Sequence, residues 1–283
     1  MPRTPGADWR DELLAGIALR PQEGEPVNRL GWPGYEGRTA VRWGTGRLAG
    51  EPAVVAVWDG RVYGGSFGER DATAFAAAAD AAARIRLPLV SFLRSGGTRL
   101  QEGVAALVGL ARATLALERL ARAGVAHLAV VDAPTTGGIW VTVGSRADLR
   151  CAVAGATVGF AGPRVVAVTT GSPVPPGSHT ARSAYRAGLV DALLEPGEVG
   201  SWLARALAGL HPPPDGVRPP RAVPSRTVAH DRTGMEQVRA ARTVDRPSGL
   251  ALLVRLVPGG TALRGPDDTV AARVGRLAAS GRP

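Results

Sequence analysis

Apolar residues along this chain alternate between two spacings. The runs "LPLVSFL" (87–93) and "AHLAVVDAP" (126–134) are almost continuously apolar, which predicts strands buried on both faces. "ERDATAFAAAADAAARIR" (69–86) predicts an alanine-rich helix. "QEGVAALVGLARATLALERLARAG" (101–124) carries apolar residues at three-and-four spacing and ends on glycine, the pattern of a long helix. Upstream, 40–66 predicts strands separated by glycine-bearing turns. "GTGRLAG" (44–50) is read there as a hairpin turn, because no helix follows to complete a dinucleotide fingerprint. "TTGGIWVTVGSRADL", from Thr135, predicts one more helix.

Buried strands alternating with helices predict an α/β fold of βαβ units, with a parallel sheet covered on both faces. The rhythm divides the chain into an irregular lead-in (1–35), a main domain (36–210), a proline-rich linker (211–226) and a C-terminal segment (227–283). The last is expected to hold a helix, a break at Pro247 and a further short element.

Composition changes the picture in three places. The chain is 45% hydrophobic and only 5% aromatic, so most of its 283 residues are expected to fold around a sizeable core. Its net charge of +10 is carried by arginine alone, but the arginines are scattered and form no aromatic–basic face. Anionic small molecules are therefore the expected partners, and nucleic acid is not. The single cysteine, Cys151, excludes an intramolecular disulfide and a cysteine-based zinc site. Neither a secretory pattern nor an eighteen-residue apolar run is found, so a cytoplasmic enzyme without a membrane partner is expected.

Two glycine pairs carry the chemistry. Gly96-Gly97 follows the strand ending near Leu93, and Gly137-Gly138 follows the next strand. Glycine permits positive φ and close backbone approach. A helix starting there would aim its free N–H groups at the same spot. Two such turns on consecutive crossovers should meet at the carboxyl ends of the strands, as paired backbone donors for an anion or a developing enolate. Arg94 and Arg99 flank the first pair and could meet phosphates.

"GGSFG" (64–68) matches the nucleophile elbow, which would make Ser66 a nucleophile. Of the four histidines, His127, His179, His211 and His230, only His179 could partner it, so Gly65 and Ser66 are read instead as a pocket wall. Glu102 is expected to complement the dipole of its own helix.

"GGSFGE", "SGGTRLQEG", "DAPTTGG" and "VGFAGPRVV", in this order over residues 28–210, resemble the carboxyltransferase β subunit of acetyl-CoA carboxylase; the tail "GMEQVRAARTVDRPSGLALL" resembles the start of the α subunit. The resemblance implies a crotonase (ClpP-like) fold of stacked ββα units forming a spiral. It implies that Gly96, Gly97, Thr98, Gly137 and Gly138 polarise an acyl thioester carbonyl, and that Phe160, Gly162, Pro163 and Arg164 lie near the site. It also implies a CoA or carrier-protein thioester as substrate, and carboxybiotin on a separate carrier as the group that delivers CO2 and takes the α-proton. The partners would be an α subunit or a second copy, with no covalently bound cofactor. Three departures stand out: no four-cysteine zinc ribbon, most of the α half missing, and Trp140 after the second pair, where an indole should narrow the pocket. They leave a biotin-independent malonyl-thioester decarboxylase as the alternative.

Overall fold

The computed structural model describes residues 8–20, 25, 27–210, 233–243, 247–264 and 270–275. The linker expected over 211–226, with His211 and His230, lies outside them. The chain opens with one helical turn, α1 (Asp11–Leu14), and strand β1 (Ile17–Leu19), an element the lead-in did not announce. The hairpin β2 (Val41–Leu48) and β3 (Glu51–Trp58) comes next. Its turn is Ala49-Gly50, both at positive φ as a two-residue hairpin turn requires, while Gly44 and Gly46 lie inside β2.

Helix α2 (Glu69–Ile85), β4 (Leu89–Ser95), α3 (Val104–Arg122) and β5 (His127–Thr136) follow. Next come the short helix α4 (Gly137–Ile139), continued by a π turn over Trp140–Gly144, and β6 (Leu149–Val153), so the helix expected after Thr135 stops early. The main unit closes with β7 (Val158–Gly159), α5 (Pro163–Thr170), α6 (Ala181–Arg186), β8 (Ala192–Leu194) and α7 (Val199–Leu210). Beyond it lie α8 (Gly234–Ala241), α9 (Gly249–Leu256) and the hairpin β9 (Thr261–Leu263) and β10 (Ala272–Val274).

One sheet has the order β1-β2-β3-β4-β5-β6-β8, with β7 paired to the end of β5. Strands β3 to β6 and β8 run parallel, and the β1–β3 edge is antiparallel. Both faces are covered. On one, α2 and α3 bury Phe75, Ala79, Leu117 and Leu120 against Val54, Leu89 and Leu93. On the other, α7 buries Trp202, Leu203 and Leu207 against Val55, Phe92, Leu128 and Val130. Each fully buried Leu, Val or Phe is worth about 1.5–3 kcal/mol, so the continuous apolar runs hold the sheet together. The tail packs on the α7 side, where Leu263 and Val274 join that core and the backbones of Gly209 and Gly275 touch. Among the described residues, no helix is long and apolar enough to cross a membrane.

Candidate active site

The two glycine pairs meet, as expected for consecutive crossovers of a parallel sheet. A Cβ built on Gly137 would stand 3.1 Å from Gly97 Cα. Gly97 has φ +118° and Gly137 +67°, values that L side chains rarely adopt, so the contact depends on glycine at both positions.

The upstream "GGSFG" loop lies beside the first pair as an added backbone rung. Gly96 N–H donates to Gly64 O (3.0 Å), Phe67 N–H to Gly97 O (2.8 Å) and Arg99 N–H to Phe67 O (3.0 Å). A Cβ at Gly65 would lie only 1.8 Å from Arg94 O, so the loop can seat itself only on a bare glycine. The fourth motif arrives through β7: Gly159 pairs with Thr136, which places the loop 160–162 and the start of α5 beside Gly137. Phe160 (74% exposed) and Arg164 stand at the surface there. All four motifs therefore converge at the carboxyl ends of the strands, where open α/β sheets place ligands.

The donors differ from the sequence reading. Gly96 N–H is taken by Gly64, and Gly97 N–H donates to the buried Ser95 Oγ (3.2 Å). The rung to Phe67 uses neither donor of Thr98, whose N–H is the first one in this loop left for a ligand. Helix α3 does not aim at the pair either: a 3-10 turn (Leu100–Glu102) and Gly103, with non-helical φ +56° and ψ −131°, intervene. At the second pair a helix does start on the glycines. Helix α4 starts on Gly137 itself, so the N–H groups of Gly137 and Gly138 have no partner within their own helix. A side chain at 138 would meet Leu110 Cδ1 at 2.6 Å and Thr98 Oγ1 at 3.2 Å, so it would require Leu110 to shift.

Three expectations are corrected. Arg99 meets no phosphate from outside: its side chain is fully buried and ion-paired with the equally buried Asp71 at 2.6 Å. Arg99 also donates to Tyr35, Glu102 and the Ser66 and Arg38 carbonyls. Asp71 in turn accepts from the N–H groups of Ala40 (2.6 Å), Val41 (2.8 Å) and Gly68 (2.8 Å). Burial pushes the Asp71 carboxyl up, against the Arg99 charge and these three donors, which hold its anion. Arg94 is compensated as well, by Asp132 at 2.5 Å and Asp8 at 3.0 Å. Trp140 turns into a core of Val131, Ala152, Val158 and Val190, because a π turn carries it inward, so the indole does not narrow the site.

Glu102 serves a different helix from the one expected. It accepts from Glu69 N–H (2.5 Å) at the start of α2, and from the Tyr35 hydroxyl, which desolvation and this carboxylate push up to about 12. The nucleophile elbow fails on geometry: the Ser66 hydroxyl accepts from Arg99 Nε (3.3 Å), and His179 bonds its neighbour Ser178 instead. His127 is buried against Ser91 Oγ (2.8 Å), and burial lowers it to about 3, so it stays neutral. Among the described residues, no cluster of three His, Cys, Asp or Glu could hold a metal ion.

Sequence reasoning missed Ser95, Asp71 and Tyr35. Asp71 had a signal, as the third residue of a helix opened by glycine. Tyr35 had none, because its partners are 64 and 67 residues away.

Residues 33–238 match the carboxyl transferase domain family. Over 174 residues the chain is 39% identical to the acetyl-coenzyme A carboxylase carboxyl transferase subunit β of Caulobacter sp., covering 60% of this chain and 56% of that protein. Over 252 residues it is 36% identical to the fused subunits β/α of Saccharopolyspora erythraea, covering 86% of this chain and 44% of that protein. The chain thus spans about half the length of the curated relatives it matches. Among solved structures, the Pseudomonas malonate decarboxylase MdcD–MdcE hetero-dimer is similar at TM-score 0.57 and 26% identity, over 72% of this chain and 86% of that one. The transcarboxylase 12S core has the same fold at TM-score 0.60 and 24% identity, over 70% of this chain and 41% of that one. With its four motifs meeting at one glycine junction on a crotonase-like sheet, this chain belongs to the carboxyl transferase domain family.

Proposed function

We propose that the chain is a carboxyltransferase β-type subunit, which moves a carboxyl group from carboxybiotin on a separate carrier to an acyl-CoA of the acetyl-CoA type. The observation that carries this reading is the Gly97–Gly137 contact, with the N–H groups of Thr98 and Gly138 beside it. The thioester carbonyl sits on these donors, and the oxyanion that forms when the α-carbon loses its proton gains more from them than the neutral carbonyl does. Among the described residues, the groups nearest Gly97, Gly137 and Gly138 include no aspartate, glutamate or histidine, which fits a reaction whose base comes with the co-substrate. Carboxybiotin, when bound, supplies CO2 and a ureido nitrogen that accepts the α-proton; the enolate carbon then bonds to CO2.

Exposed Leu100 and Val104 beside the first loop, and Phe160 and Val168 beside the second, support an assembly with an α subunit or a second copy. The long alignment with the fused β/α relative supports an α-like reading of the tail. A cytoplasmic location belongs to the same proposal. A biotin-independent decarboxylase of a malonyl thioester is the second reading, favoured by the malonate decarboxylase likeness, because loss of CO2 leaves the same enolate on the same donors.

Mass spectrometry of malonyl-CoA and of a malonylated carrier protein, incubated with the chain alone and no biotin or ATP, separates the two. Conversion to the acetyl thioester establishes decarboxylation. No conversion, together with carboxyl transfer once an α subunit and a biotinylated carrier are added, establishes the carboxyltransferase.

A further inference from the structure

Both glycine pairs lie downstream of a break in the β4–β5 ladder. The two strands pair in step up to Leu93 and Val131, and pair again only at Ser95 and Thr135. Between these points one residue of β4, Arg94, stands opposite three of β5, Asp132, Ala133 and Pro134. Ala133 N–H is turned to Asp132 Oδ1 (2.7 Å), and Pro134 has no N–H, so neither gives β4 a backbone donor there. An interrupted ladder cannot by itself fix how far Gly97 stands from Gly137.

Side chains cross the gap instead. The buried Thr135 hydroxyl lies 3.0 Å from Leu93 O and 2.7 Å from Asp132 O. Arg94 donates to Asp132 Oδ2 through Nε (3.2 Å) and a second guanidinium nitrogen (2.5 Å). Two charge-assisted bonds of this kind fix orientation as well as distance. The Arg94 stem crosses Gly60, where a Cβ would meet Arg94 Cδ at 2.6 Å.

The N-terminal segment holds both partners of this pair. Asp8 Oδ2 accepts from Arg94 at 3.0 Å, and Trp9 Nε1 donates to Asp132 Oδ2 at 3.1 Å. The segment is itself anchored. Buried Arg10 is ion-paired with Asp8 at 2.7 Å and donates to Trp58 O (2.9 Å) at the end of β3. The Trp9 ring packs against Phe92 with centroids 6.3 Å apart, and Leu13 and Leu14 join the α7-side core. Residues 8–10 therefore tie together three adjacent strands, β3, β4 and β5, toward their carboxyl ends. Arg94 precedes Gly96 by two residues, and Asp132 precedes Gly137 by five.

We propose that Arg94 and Asp132, held by Asp8 and Trp9, are positioning residues that set the spacing of the two glycine loops across the broken ladder. They act through the loop backbones. Resting on the acyl-transfer reading above, that spacing brings the Thr98 and Gly138 N–H groups to bear on one carbonyl oxygen. A misplacement of about 1 Å at such a site costs about 10² in rate.

The double variant Asp8→Asn with Trp9→Phe tests this with little change of volume and leaves Arg94 and Asp132 in place. Amide hydrogen exchange reads the loops without any substrate. Residues 96–98 and 135–138 should exchange about tenfold faster than in the parent, while 89–92 and 127–131 in the cores of β4 and β5 stay unchanged. Unchanged exchange in either loop, or an equal rise in the core strands, overturns the positioning role. The reaction is read separately, as kcat and KM for the malonyl-CoA or acetyl-CoA reaction. Here kcat should fall about tenfold with KM held within about twofold, because misaligned donors fail the developing oxyanion more than the ground state. A kcat equal to the parent's overturns the link to catalysis. Faster exchange in both loops, with no turnover of any thioester by the parent, would uphold the clamp and reject the acyl-transfer reading instead.

Discussion

Gly96-Gly97 and Gly137-Gly138 look interchangeable in the sequence, each a glycine pair between a strand and a helix, yet the structure uses them differently. The first pair is a support: its two N–H groups are consumed by Gly64 and Ser95, and its helix starts only at Val104. The second opens a helix, because α4 begins on the pair itself, and on the proposed reading it is the donor. A glycine pair after a strand therefore marks a close backbone approach, and which N–H groups face a ligand depends on neighbours the pattern does not contain.

The largest expected effect comes from undermining the support. Asp71→Asn takes the nearer of two carboxylates from the buried Arg99 guanidinium, leaving Glu102 at 3.3 Å, beneath the loop that carries Gly97 and Thr98. Breaking such a buried pair costs about 3–5 kcal/mol. Denaturant unfolding should show that loss, and turnover should fall with it; a change below about 1 kcal/mol would mean that the first loop does not rest on Arg99.

The next test sets the two pairs against each other. Gly137→Ala puts a Cβ 3.1 Å from Gly97 Cα at a backbone angle of +67°, while Gly96→Ala places one 3.6 Å from Gly64 O with no positive φ to oppose it. Loss of an oxyanion donor costs about 10²–10³ in rate. Turnover should drop by about that factor in Gly137→Ala and by less than about threefold in Gly96→Ala. Equal losses would erase the distinction between support and donor.

The smallest effect sharpens the reason for Gly138. Its side chain is excluded by Leu110 Cδ1 at 2.6 Å. Overpacking of this kind costs about 1–3 kcal/mol. In a double-mutant cycle, Leu110→Ala should recover part of the stability that Gly138→Ala loses, with a coupling of about 0.5–3 kcal/mol. Strict additivity would show that packing is not what forbids a side chain there.

The fold was legible where periodicity is strong. The runs around Val90 and Val130 are strands, and the alanines of α2 and the leucines of α3 cover them. Boundaries slipped where one glycine has a conformation that no pattern predicts, as at Gly103, or where a π turn ends a helix, as after Trp140. The converging loops could be foreseen, since parallel crossovers place them on one edge. The roles of the side chains could not. Arg99 beside a glycine pair reads as a ligand for phosphate, and only the fold brings Asp71, Tyr35 and Ser66 around it.

The central claim is that the glycine junction polarises a thioester carbonyl. Isotope-edited infrared spectroscopy of acetyl-CoA labelled with carbon-13 at its carbonyl reads that polarisation directly in the bound state. The carbonyl stretch should shift to lower frequency on the parent protein, and the shift should be lost in Gly137→Ala. A stretch at its solution frequency on the parent, or a shift that persists unchanged in Gly137→Ala, would contradict the account.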